Sequence, residues 1–195
     1  MGYYAAFEKG KWNCGDFLAT RLYYMFSSNK EFDQRKGYIV NGRAPDAPGD
    51  GSYRDHAVSC LTYREPLKAG ASFSASFSFT GGEPTLFFSS GIQQYGDLLV
   101  HDDLIVACFH AGGLKFWGGK ADHEKREYAF ENIARTPFPV ETGTIHTAKM
   151  MTEPGRVGVE FGGIEYWEDY PVYPSGYAGL IAWLGENRFY SFSVI

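Results

Sequence analysis

The stretch "ASFSASFSFT", Ala71 to Thr80, alternates between apolar and hydroxyl side chains, and this alternation limits the folds open to the chain. Phenylalanine or alanine occupies the odd positions from 73 to 79, and serine occupies the even positions from 72 to 78. Successive side chains of a β-strand point to opposite faces of a sheet, whereas a helix would scatter this pattern around its axis. The segment is therefore predicted to be a strand with one buried face.

Further short apolar segments, separated by glycine and proline turns, predict a meander of strands. They are residues 85–90, 104–110, 144–151 and 156–167, and a closing pair on either side of Gly185-Glu186-Asn187. Helix signals are few, since residues 16–26 and 123–134 fit a helix or a strand equally well. This order of elements predicts an all-β protein, an antiparallel two-sheet β-sandwich or jelly roll with little helix.

The length of 195 residues suits one domain, so residues 1–195 are predicted to form a single β-sandwich domain. The loop at 41–52 combines Gly, Pro and Asp without apolar periodicity and is predicted to be mobile. Aromatic residues make up 17% of the chain, which favours strands over helices.

The net charge, the cysteine content and the N-terminal sequence restrict the expected binding partners and cellular location of the protein. The net charge of -5 gives no electrostatic footprint for nucleic acid or for an anionic membrane, and no apolar run is long enough to span a bilayer. Cys14, Cys60 and Cys108 are far apart and form no CxxC pair, so they are interpreted as small buried thiols. The N-terminus shows no secretory signal, and a cytoplasmic protein is expected.

The order of the segments resembles the concanavalin A-like lectin/glucanase superfamily, which includes laminin G-like domains and 3-keto-disaccharide hydrolases. The resemblance rests on an early Trp12 segment, on "GYIVNG", on the "SFSASFSF" strand, on the hairpin "PGRVGVEFGGIEY", and on the closing "GYAGLIAW" and "NRFYSFSV". It implies a jelly roll that recognises or processes carbohydrate on a concave sheet. The resemblance covers most of the chain as a pattern.

Glucanases of that superfamily often carry two catalytic carboxylates on one strand, spaced so that both reach one face. The nearest stretch here, "IEYWEDYP", places Glu165 and Glu168 on opposite faces, so the motif is absent. Three other residues are candidate acid/base groups if the protein is an enzyme: His101, Asp103 and His146. An imidazole beside carboxylates can be tuned to act as a general base.

The same polar segment, "YGDLLVHDDLIV", suggests a cation site. Lectins of the resembled superfamily hold calcium with loop oxygens, so Asp97 and Asp102 are candidate ligands of a possible calcium ion. The alternative is a polar turn between two apolar strands.

Aromatic residues with polar neighbours are the candidate carbohydrate-binding residues, because a sugar presents an apolar face and a rim of hydroxyl groups. They are Trp117, Trp167 and Trp183, with Glu186 and Arg188 beside the last of them. The segment Tyr53-Arg54-Asp55-His56 is a further polar group. The alternative interpretation of Trp117 and Trp183 is core packing.

These observations favour a carbohydrate-binding β-sandwich. The alternatives are a glycoside-processing enzyme, hydrolase or lyase, and a protein-interaction subunit that pairs through its sheets, with a homo-oligomer as one form of it. The closing stretch predicts a final strand with Tyr190, Phe192 and Val194 on its buried face and serines on the other, and with Glu186 and Arg188 in the turn before it.

Overall fold

β-strands are the main regular structure of the chain, and the computed structural model describes residues 2–23, 30–44, 47, 49–50 and 55–195. A 3₁₀ turn at Cys14–Asp16 precedes the second strand. In chain order the strands are β1 (Tyr3–Ala6), β2 (Phe17–Thr20), β3 (Phe32–Gln34), β4 (Ile39–Asn41), β5 (Ser59–Tyr63), β6 (Leu67–Lys68), β7 (Ser72–Thr80), β8 (Glu83–Ser89), β9 (Ile92–Tyr95), β10 (Leu98–His101), β11 (Leu104–His110), β12 (Gly113–Asp122), β13 (Glu127–Pro137), β14 (His146–Glu153), β15 (Arg156–Phe161), β16 (Ile164–Asp169), β17 (Ser175–Trp183) and β18 (Glu186–Val194).

Two antiparallel sheets of eight strands each form a sandwich, as predicted. Sheet I runs in the order β16-β15-β14-β7-β18-β4-β3, with β1 also paired to β18. Sheet II runs in the order β13-β12-β11-β8-β17-β5-β2, with β6 also paired to β17. The short hairpin β9-β10 belongs to neither sheet. Among the described residues, no helix has the length and apolarity to span a bilayer.

The apolar residues of the alternating stretch Ala71 to Thr80 lie on the core-facing side of sheet I. Phe73, Ala75, Phe77 and Phe79 are buried in the space between the sheets, where they belong to the same apolar cluster as Phe109 of sheet II. Burying a Phe side chain contributes about 1.5–3 kcal/mol, and many aromatic residues join this cluster. The predicted orientation of the strand is confirmed.

The closing strand departs from its predicted orientation. The register between β18 and β7 shifts between Phe189 and Ser191, so that Tyr190 is an extra residue. A bulge of this kind reverses the alternation on one side of it. Phe189 and Phe192 are fully buried, whereas the hydroxyl of Tyr190 meets Ser78 at 2.9 Å on the outer face. The prediction that Tyr190 shares a buried face with Phe192 is therefore wrong.

The turn before the closing strand also differs from its predicted position. Strand β17 ends at Trp183 and β18 begins at Glu186, so the turn consists of Leu184 and Gly185, and Glu186 and Arg188 lie in the strand. The ambiguous segment 123–134 contributes to strand β13. Five of the twelve positions of the predicted loop at 41–52, namely 45, 46, 48, 51 and 52, lie outside the described residues, as do positions 53 and 54 of the polar segment that follows it.

Candidate functional site

A groove of about 160 Å³ lies on the face of sheet II that points away from the sandwich core. Strands β11, β12, β13 and β17 supply its apolar lining: Val106, Cys108, Trp117, Phe130, Trp183 and the adjoining Leu184. Val106 and Trp117 are opposite each other in the β11-β12 register, and their side chains share this face because neighbouring positions point into the core. The groove is thus built on strands of a rigid sheet.

One ion pair supplies the polar groups of the groove. The Nζ of Lys115 lies 2.9 Å from the Oε1 of Glu83, and both side chains are about three-quarters buried, with 23% and 24% exposed. A partly buried pair of this kind keeps unused hydrogen-bonding capacity, since an ammonium has three donors and a carboxylate about four acceptor sites. The groove can therefore both donate hydrogen bonds to and accept them from a small polar ligand.

Arg135 and His110 lie at the rim. The guanidinium of Arg135 is 5.7 Å from the ring centre of Trp117, and its Nε donates to Asn132 at 3.0 Å. The Nδ1 of His110 accepts from the amide of Gly112 at 3.1 Å, which leaves the Nε2 as the protonated nitrogen of the neutral ring. Burial, reinforced by the charge of Lys115, lowers the pKa of His110.

A tight turn brings Trp183 and Leu184 into the groove. Leu184 and Gly185 have positive φ angles of 41° and 58°, as a two-residue hairpin turn requires. The fully buried Asn187 secures the turn, because its Nδ2 donates to the carbonyl oxygens of Trp183 at 2.8 Å and Leu184 at 3.1 Å. Asn41 in turn donates to the carbonyl of Gly185 at 2.8 Å.

The thiol of Cys108 forms part of the groove floor. Burial raises its pKa to about 12, and a hydrogen bond from Thr85 offsets this in part. At neutral pH the sulfur is thus a protonated thiol, and the thiolate is the nucleophilic form. Cys108 contributes apolar surface to the groove and is not an activated nucleophile. Cys60 is also buried, whereas Cys14 is exposed, contrary to the prediction of three buried thiols.

Comparisons with known proteins identify the fold. No protein-family model matches the sequence, and no curated protein matches it. A native glycosidic hydrolase is similar over 100% of this chain and 95% of its own, with 12% identity and a TM-score of 0.64. The Bacillus licheniformis β-glucanase is similar over 99% of this chain and 97% of its own, with 13% identity and a TM-score of 0.63.

The carbohydrate-binding module CBM66 from Bacillus subtilis is similar over 85% of this chain and 96% of its own, with 15% identity and a TM-score of 0.53. The fold is the concanavalin A-like jelly roll. The resemblance predicted from the order of the sequence segments is therefore confirmed for the fold, and at these identities the likeness extends to the fold alone.

In this jelly roll, the five predicted carbohydrate-binding residues separate into two groups. Trp117 and Trp183 both line the groove of sheet II, where Trp117 is half-buried and Trp183, with 7% of its surface exposed, also packs in the apolar cluster of that face. The other three, Trp167, Glu186 and Arg188, lie on the outer face of sheet I. The Trp167 ring there rests against Gly158, with Arg156 4.4 Å from its centre, and its Nε1 donates to Glu165 at 2.9 Å. Arg188 pairs with Glu186 and lies 5.1 Å from the ring centre of Tyr38.

The jelly roll does not bring the three predicted catalytic residues together. His101 is fully buried, and its Nε2 lies 2.9 Å from the Oγ1 of Thr20 and 3.0 Å from that of Thr62. Asp103 accepts from the amide of Ala121 at 2.9 Å and pairs with Lys120 at 3.1 Å. His146 lies at an end of sheet I, on the core-facing side with Phe77, and its Nε2 lies 2.7 Å from the carbonyl of Glu141.

The predicted cation ligands are also separated. Asp97 follows β9 at the tip of the β9-β10 hairpin, and Asp102 follows β10 at its base. An oxygen of Asp102 is 2.8 Å from the Nε2 of His123, whose Nδ1 is 2.5 Å from the hydroxyl of Tyr23. Within the described part of the chain, no group of three or more His, Cys, Asp or Glu side chains could hold a metal ion.

The sequence interpretation did not identify Glu83, Lys115 and Asn41 as site residues. Glu83 begins strand β8 and lies opposite Trp183 in the β8-β17 register. Lys115 is opposite Cys108 in the next strand pair. Only the pairing of distant strands brings these residues together, and a single sequence contains no signal for that pairing.

Proposed function

We propose that this protein binds carbohydrate in the groove of sheet II, with Trp117 and Trp183 as the apolar surfaces and the Glu83-Lys115 pair as the polar contact. The observation that carries the proposal is the convergence of the two tryptophans and the ion pair in one groove. An indole ring offers a flat surface to the C–H face of a sugar, and a charged pair beside it can bind adjacent hydroxyl groups.

The fold neighbours support this proposal. They include glucanases, a structure in complex with laminaritriose and laminaritetraose, and a carbohydrate-binding module. Proteins of the same fold can bind their ligands at different sites. The neighbours therefore support carbohydrate as the ligand class, and the groove residues support sheet II as the binding site.

Titration calorimetry against a panel of β-1,3-glucan, β-1,3-1,4-glucan, β-fructan and chitin oligosaccharides tests the proposal. We expect saturable binding to at least one of them by the wild-type protein. The Trp117→Ala variant is expected to bind at least roughly tenfold more weakly, because a lost aromatic contact removes about 1.4 kcal/mol or more. Glu83→Gln is expected to weaken binding as well, because it removes the charge that strengthens the hydrogen bonds to sugar hydroxyls.

Trp167→Ala is the matched control, since it removes the same side chain from the opposite sheet and should change the affinity by less than about twofold. Near-ultraviolet circular dichroism of both variants checks that the sandwich is intact. Equal loss of binding in the two variants, or no binding of any glycan by the wild-type protein, would contradict the proposal.

A glycoside-processing enzyme is the second candidate. The observation that favours it is His110, which lies next to Glu83 on the outer face of sheet II and could act with it as an acid/base pair. Retaining and inverting glycosidases use two carboxyl groups about 5–9.5 Å apart, whereas Glu83 is the single carboxylate among the described residues that line the groove. An assay for new reducing ends or unsaturated sugars, with His110→Ala as the comparison, separates this candidate from simple binding.

A further inference from the structure

Sheet II is open over only part of its outer face. Phe87, Ile181 and Thr62, on β8, β17 and β5, point away from the sandwich core, yet each is 0% exposed. The described residues that cover them come from the β9-β10 hairpin and from positions 21–23 after β2; among them are Val100, His101 and Leu22. The groove between Trp117 and Trp183 lies in the part of the face that they leave uncovered.

The covering hairpin is firmly attached. The amide of Arg21 donates to the carbonyl of Leu99 at 2.7 Å, and the hydroxyl of Tyr128 donates to the carbonyl of His101 at 2.6 Å. The imidazole of His101 packs edge-on against Phe87, with 4.6 Å between the ring centres. Backbone, side-chain and aromatic contacts together make the hairpin a fixed wall and not a loosely held loop.

A polysaccharide that crosses sheet II at right angles to its strands would have to continue from β11 over β8, β17 and β5. The hairpin and residues 21–23 occupy that path, so the groove is closed on this side. Its volume of about 160 Å³ is also below the roughly 300–1,000 Å³ of sites for drug-sized ligands, which leaves room for one sugar ring.

We infer that the groove recognises the terminal residue of a glycan chain and not an internal segment. This inference rests on the proposed function. The terminal ring enters between Trp117 and Trp183, its vicinal hydroxyls reach Glu83 and Lys115, and the rest of the chain leaves over β12 and β13. Affinity is then determined by the first ring, because later rings pass the rim into solvent.

The test uses the wild-type protein and the glycan that binds in the calorimetric panel. Its mono- to hexasaccharides are titrated, and the dissociation constants from the disaccharide upward are expected to agree within about threefold. Limited hydrolysis of the parent polysaccharide should increase the binding sites per gram in proportion to the new chain ends, without changing the affinity per site.

A dissociation constant that falls tenfold or more between di- and hexasaccharide would overturn the inference, as would an unchanged number of sites per gram after hydrolysis. Either result would leave the proposed function intact, because Trp117→Ala would still weaken binding relative to Trp167→Ala. Failure of the proposed function is distinguishable, since no member of the series would then bind.

Discussion

The two sheets of the sandwich have outer faces of opposite character. On sheet I the hydroxyls bind one another: Ser74 meets Ser193 at 2.8 Å, and Ser76 meets Thr147 at 2.8 Å. On sheet II the outer face carries a cluster of large apolar residues, part of which lies beneath the β9-β10 hairpin and part of which lines the groove. The comparison explains why a tryptophan is available to a ligand on sheet II but not on sheet I.

Trp167 on sheet I already has partners on its ring and on its Nε1, whereas Trp117 on sheet II lines an open groove. A ligand gains most from apolar surface that the fold leaves uncovered. The distinction between scaffold and binding surface thus follows from what covers each face, and the four predictions below test it.

The largest effect is expected from truncation of sheet I. Removal of Tyr190 to Ile195 deletes most of β18, which pairs with both β7 and β1 and buries Phe192 completely. Deleting a central strand exposes the core. The resulting loss of stability exceeds the free energy of unfolding of a typical domain, which is roughly 5–15 kcal/mol. We expect no cooperative thermal transition in circular dichroism. A melt like that of the full chain would contradict the scaffold role of this strand.

The second prediction concerns the hairpin wall of sheet II at low pH. Burial lowers the pKa of His101 to about 3, whereas an unfolded histidine titrates near 6.5. Between these values the unfolded chain binds one more proton than the folded chain, so acidification removes stability by up to about 1.4 kcal/mol per pH unit. The stabilisation is complete above pH 6.5 and decreases as the pH falls towards 3.

Urea unfolding of the wild type and His101→Gln at several pH values between 7 and 4.5 measures this dependence. Glutamine keeps a polar group near Thr20 and Thr62 but does not titrate. The wild type is expected to lose about 2–3 kcal/mol more than the variant between pH 6.5 and 4.5. Parallel pH curves for the two proteins would show that His101 is not held neutral by the fold.

The third prediction concerns the turn that presents Trp183 and Leu184. Asn187→Ala removes the donor to both of their carbonyls, and an unsatisfied buried group costs about 1–3 kcal/mol. Urea unfolding measures the loss of stability, and calorimetry should show weaker sugar binding as the groove wall relaxes. Arg188→Ala, next in the strand but on the outer face of sheet I, should leave binding unchanged. A loss of binding in Arg188→Ala equal to that in Asn187→Ala would contradict this assignment.

The sequence predicted the sandwich because its strands alternate with a period of two, and this signal is local. Prediction of side-chain direction failed at Tyr190, where one extra residue reverses the alternation, and no local signal marks a bulge. The groove depends on contacts between distant strands. Trp117 and Trp183 could be selected as aromatic candidates, but their meeting with Glu83 depends on the sheet order β12-β11-β8-β17.

The burial of His101 is a second feature that local sequence could not predict. Its neighbours Asp102 and Asp103 suggested a polar, reactive loop, but the hairpin turns His101 inward onto Thr20 and Thr62. A histidine between an apolar strand and two aspartates has the same sequence pattern whether the hairpin folds over the sheet or away from it. The tertiary packing of the hairpin decides between a buried structural group and an accessible one.

The smallest effect is expected on the outer face of sheet I. Ser74 and Ser193 form a cross-strand hydroxyl pair, and replacing both by alanine removes donor and acceptor together, leaving neither unsatisfied. We expect the double variant to differ from the wild type by at most about 0.5 kcal/mol in urea unfolding and to bind glycan with unchanged affinity. A loss of binding in this variant would indicate that the glycan binds on sheet I and not in the groove of sheet II. A loss of stability alone would show instead that the hydroxyl rows hold its strands together, so the two measurements distinguish a binding face from a structural one.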